Sequence, residues 1–141
     1  MAPMSKPDAP WRDRILAVPV LTVAAVVCFG ATVAMSNAHV HRQSAACRWM
    51  SVPWTNFAVA YGALVAAGLA LLVHFGLFRT ARRKGWNPLG TWDGRLSVAC
   101  AVAAGVMVLV AVGGVFITHS QAAESADNLG RPMCEGAAAP F

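Results

Sequence analysis

Charge is scarce in this chain of 141 residues: Asp and Glu number 6 and Lys and Arg 11, so 12% of residues are charged against about 25% in soluble proteins. Three long stretches, 15–36, 57–78 and 96–118, contain none of the four charged types. Proton pumps, ion-coupled transporters and voltage sensors need ionisable groups inside the membrane. Here those stretches offer only His74, which argues against an autonomous transporter. Several motifs are missing as well. There is no CxxCH, so covalent c-type haem attachment is excluded. No Gly-rich phosphate loop, nucleophile elbow or zinc-protease helix motif occurs, so the chain is expected to be no enzyme and to hold no cofactor. Tryptophan is absent from all three stretches: Trp11, Trp49, Trp54, Trp86 and Trp92 lie in flanking segments, where an amphipathic ring favours a membrane interface.

What is present is apolar length. Hydrophobic residues make up 57% of the chain, and each uncharged stretch reaches the roughly 20 residues a helix needs to cross a bilayer. Backbone polar groups in hydrocarbon must be satisfied internally, which predicts helices despite the abundance of valine. The expected fold is therefore all-α: an integral membrane protein with three transmembrane helices at 15–36, 57–78 and 96–118. Segment 1–14 precedes them, segments 37–56 and 79–95 are loops, and 119–141 is a tail. Pro19, near the start of the first span, is expected to perturb it only locally. "SNA" at Ser36 to Ala38 resembles a signal-peptidase site, but the apolar run before it exceeds the roughly 7–15 residues of a signal core, so an uncleaved anchor is expected.

Basic residues set the expected orientation. Lys6, Arg12 and Arg14 precede the first span, and Arg79, Arg82, Arg83, Lys84 and Arg95 fill the loop after the second. By the positive-inside rule these segments are cytoplasmic, so the N-terminus is cytoplasmic and the C-terminus extracytoplasmic. The cluster Arg79, Arg82, Arg83 and Lys84 is an orientation signal that can also contact anionic lipid headgroups or a partner; nucleic acid is not expected.

Orientation sorts the cysteines. Cys47 and Cys134 share the oxidising side and are expected to form a disulfide, against two free thiols or an intermolecular bridge. Cys28 and Cys100 lie inside spans at different depths, about 20 Å and about 6 Å from the cytoplasmic end at 1.5 Å per residue, and are expected to be free and apolar in behaviour. The tail, rich in Ala, Ser, Gly and Pro, has too few large apolar residues to build a core and is expected to lie pinned over the first outer loop.

The histidines give one candidate metal site. His39, His41 and His119 all follow spans on the outer side, near Met35, Met50 and Met133, a donor set suited to copper. Against it, His-x-His in an irregular loop has no fixed geometry, and no carboxylate is placed nearby. Bis-histidine haem ligation is not expected, because His74 lies at the opposite end; its ring is expected to reach the interface.

Small residues recur at four-residue spacing: Gly62, Ala66 and Ala70 with Ala63 and Ala67, then Ser97, Ala101 and Gly105 with Ala99 and Ala103, and Gly30 with Ala34. Such stripes let helix backbones approach in lipid, although Ala and Gly are frequent enough here for stripes to arise by chance. Stripes on more than one side imply packing against other integral membrane subunits. Arginine exceeds lysine, and Ala and Val dominate, which fits GC-rich coding and a bacterial plasma membrane. The expected function is thus a non-catalytic accessory subunit of a larger energy-transducing or transport complex. The alternatives are a small copper-handling or redox subunit and a self-associating, holin-like pore.

Overall fold

A computed structural model describes residues 9–85 and 87–134, with no side-chain description for 9–13 and 88. Lys6, Trp86 and Glu135 lie outside the described residues, as do the side chains of Trp11 and Arg12. The described chain is all-helical: α1 Ala9–Ala46, α2 Trp54–Arg83 and α3 Trp92–Asp127, with a single 3-10 turn, Pro88–Gly90, before α3. All three helices are long and apolar enough to cross a membrane.

The helices run well past the apolar stretches. With 38, 30 and 36 residues, they extend about 57, 45 and 54 Å at 1.5 Å per residue, against a hydrocarbon core of about 30 Å. Segments 37–46 and 119–127, expected as loop and tail, are therefore helical. Pro19, expected near a helix start, lies in the interior of α1.

Burial shows what holds the bundle together. In α2 the buried residues are Asn56, Ala60, Ala63, Ala67, Ala70, His74, Leu77 and Ala81, separated by alternating steps of four and three. In α3 Gly94, Ser97, Ala101, Ala104, Ala111, Thr118 and Ser125 are buried, again at heptad intervals. Ile15, Val18, Thr22, Ala25, Thr32, His39 and Gln43 do the same in α1. A 3.5-residue repeat keeps a seam facing its neighbours along the whole length of a left-handed bundle, and all three helix pairs are in contact. Because the seam is mostly Ala, Ser and Thr, the backbones approach closely, and larger side chains such as Val65, Leu72, Phe75, Leu109 and Phe116 point outward.

The seam runs through some members of the four-residue stripes and leaves others outside it. Four residues turn a helix by about 400°, so each such step drifts about 40° from the last. Gly62 and Ala66 are accordingly only half-buried, whereas Ala63, Ala67 and Ala70 are fully inside. In α3 Ala101 and Ala104 are on the seam, while Gly105 is half-buried and Ala99 and Ala103 face out.

The ends are built from local signals. Thr91 caps α3, its hydroxyl accepting from the Gly94 amide at 3.2 Å, and Asp93 in the first turn complements the helix dipole. α2 ends at Arg83 and is followed, after its cap Lys84, by Gly85, whose φ of 68° is a conformation glycine adopts without steric cost. α1 ends in a Schellman arrangement: the Cys47 amide donates to the Ser44 carbonyl at 3.2 Å and the Arg48 amide to the Gln43 carbonyl at 3.3 Å. Cys47 itself occupies the left-handed position, with φ 48°. A cysteine stands there because its side chain is used.

Candidate functional site

That use is a bond. Cys47 and Cys134 are disulfide-bonded, with Cα atoms 5.2 Å apart across a separation of 87 residues. Around them the backbones pair: Arg48 and Pro132 form an antiparallel bridge, and the Met133 amide donates to the Cys47 carbonyl at 2.9 Å. The segment after α3 is thus latched to the end of α1. Cys28 and Cys100 are free.

Beneath the latch the seam changes from apolar to polar. Gln43 of α1 donates its side-chain amide to the Met50 carbonyl at 3.0 Å and to Ser125 Oγ of α3 at 3.2 Å. His39, one turn earlier, is buried, as are Asn56 at the start of α2 and Thr118 of α3. The Thr118 hydroxyl is already committed to the Gly114 carbonyl at 2.9 Å. These residues explain why α1 and α3 continue beyond their apolar runs: a polar seam offers the same packing to the helix ends that alanine offers lower down. Gln43, Asn56, Gln121 and Ser125 carry this layer, and none is singled out by sequence reasoning. The available signal is the heptad, which continues through His39 and Gln43 and through Thr118 and Ser125.

The three histidines of the expected copper site are not brought together as one cluster. Two residues along a helix is a rotation of about 200°, so with α1 continuing to Ala46, His39 points into the bundle and His41 is exposed on the other side. His119 is exposed on α3 and bonded to the Tyr61 hydroxyl of α2 at 2.9 Å through Nε2, with its ring edge-on to Phe57 at 5.1 Å. Among the described residues no group of three or more His, Cys, Asp or Glu is placed to hold a metal ion.

At the opposite end His74 turns into the bundle rather than out to an interface. Its Nδ1 lies 3.0 Å from Ser97 Oγ of α3, and its ring packs on Phe78 with centroids 4.4 Å apart. A seam of small residues leaves room for an inward imidazole, and Ser97 gives it a partner. In the same region the Thr22 hydroxyl donates to the Val18 carbonyl at 2.9 Å and the Cys100 carbonyl at 3.3 Å. Beyond His74, Arg79, Arg82, Arg83 and Lys84 are all exposed, and the Arg95 guanidinium donates to the Leu89 carbonyl at 3.1 Å. The molecule therefore has a basic end and a latched end, joined by a close-packed apolar middle.

Compared with protein families, with curated proteins and with solved structures, the chain matches none.

Proposed function

We propose that this chain is a non-catalytic accessory subunit of a larger complex in a bacterial plasma membrane, with the basic end and N-terminus cytoplasmic and the latched end outside. The observation that carries this reading is on the outside of the bundle. Gly30 and Ala34 of α1 are both exposed, and nothing lies within 4 Å of where a Cβ on Gly30 would be. Ala99 and Ala103 of α3 form a second exposed pair. Against lipid such pairs gain little, whereas against another helix they permit close backbone approach. The exposed Arg79, Arg82 and Arg83 suit anionic headgroups, which attract by about 1 kcal/mol per charge near the surface. A pore would need a polar outward face, and the outward residues of α2 include Val65, Leu69, Leu72 and Phe75.

A photo-crosslinker at position 34, activated in native membranes, is expected to give discrete protein adducts with another integral membrane chain. Gly30→Leu with Ala34→Leu is expected to abolish association in mild-detergent native electrophoresis while leaving insertion intact. Migration of the wild-type chain alone under every gentle extraction, with lipid adducts only, overturns the reading. The orientation is tested separately: a cysteine placed in the 79–95 loop should resist impermeant reagents in intact cells, and labelling there overturns it.

A further inference from the structure

Three buried side-chain atoms under the latch have no hydrogen-bond partner: His39 Nε2, Asn56 Nδ2 and Gln121 Oε1. One comes from each helix, and the bundle's register brings them to one level. Val18 and Leu77 pack together in the apolar core; three heptads along α1 and three back along α2 lead to His39 and Asn56. The offset of 82 residues that pairs Gln43 with Ser125 also aligns His39 with Gln121. Phe57 packs on His119, so their near neighbours Asn56 and Gln121 share that level too. His39 and Asn56 retain only 5% and 2% of their exposure.

An unpaired buried polar group costs about 1–3 kcal/mol, and native structures leave few of them. Three at one level can be satisfied by a single guest, although Gln121 is itself only half-buried. In the structure no neighbouring side chain reaches them: both Gln43 amide hydrogens and the Thr118 hydroxyl proton are donated elsewhere, and the His39 ring is held by the Met50 backbone.

We propose that His39, Asn56 and Gln121 bind one water molecule between the helices at the latched end of the bundle. Buried waters make about three hydrogen bonds, the number these atoms offer. The water accepts from the Asn56 amide and donates to Gln121 Oε1 and to His39 Nε2, with the imidazole proton on Nδ1. Water also fits if the Gln121 amide is turned by 180°, accepting from both amides and donating to His39 Nε2, and if the Asn56 amide is turned instead, provided the imidazole proton moves to Nε2 and donates to the water. A divalent cation fits far less well. It would meet one imidazole and at most two neutral amide oxygens, with no carboxylate or thiolate among the three, and burying charge without compensation is costly. Arg42, three residues further along α1, adds repulsion.

The test is water-edited nuclear Overhauser spectroscopy on isotopically labelled full-length protein in lipid nanodiscs. Long-lived water contacts are expected at the Asn56 side-chain amide and the His39 ring. Gln121→Met, which keeps volume but removes the acceptor, should reduce those contacts several-fold while the rest of the spectrum is retained. If that variant does not fold, Asn56→Leu serves the same purpose, with the readout at His39. An Asn56 amide without a water contact in the wild-type protein overturns the proposal. So does stoichiometric retention of added Zn2+ or Cu2+ after dialysis with shifted His39 ring nitrogens, which would make the layer a metal site.

Discussion

Single alanines carry much of this fold. Ala67 and Ala70 are completely buried on the seam of α2, where there is space for a methyl group and nothing larger. Ala67→Leu forces the helices apart, and overpacking of this kind costs about 1–3 kcal/mol. Ala58→Leu on the exposed face of the same helix should be nearly neutral. Thermal unfolding in one detergent is expected to separate the two variants clearly, and equal midpoints would show that the seam is placed wrongly. Gln43 is the polar counterpart. Gln43→Leu keeps the volume but leaves the Met50 carbonyl and Ser125 without their donor, a loss of about 1 kcal/mol per bond, read in the same melts.

Along each element, the decisive property is the phase of the heptad. One alanine inserted between Leu71 and Leu72 would rotate everything beyond it by about 100° and carry His74, Leu77 and Ala81 off the seam. The His74 and Ser97 side chains meet at 3.0 Å, so cysteines at these two positions, with Cys28 and Cys100 replaced by alanine, should be joined by a short bifunctional thiol reagent. The inserted chain should not crosslink. This phase is also where the sequence was hardest to read. The three helices were legible because uncharged apolar runs of bilayer length have few other outcomes, and the cysteine pair was legible because two thiols fell on one expected side. The helix ends were not legible: His39, Gln43, Gln121 and Ser125 look like loop composition until the heptad is carried past the alanines below them. The seam itself was hidden by abundance. With alanine and glycine on every face, spacings of three, four and seven all occur, and only packing between helices selects among them.

For the molecule as a whole, the latch sets what can open. Cys47 and Cys134 are bonded, and both should resist alkylation until a reductant is added and then react together; labelling of either alone without reductant would contradict the bond. Reduction should loosen the segment after Asp127 first, because little else is seen to hold it beyond the bridge at Arg48 and the Met133 amide. The apolar seam does not depend on that bond, so helicity by circular dichroism is expected to change little.

The bond has one further effect, on connectivity rather than stability. Residues 47 to 134 form a closed ring that includes the whole of α2, the basic loop and the whole of α3. A protease that cuts once in the 79–95 loop divides the backbone without dividing the molecule. The two fragments should run as one species without reductant and as two with it, and a chain cut there can still keep all three helices in their places.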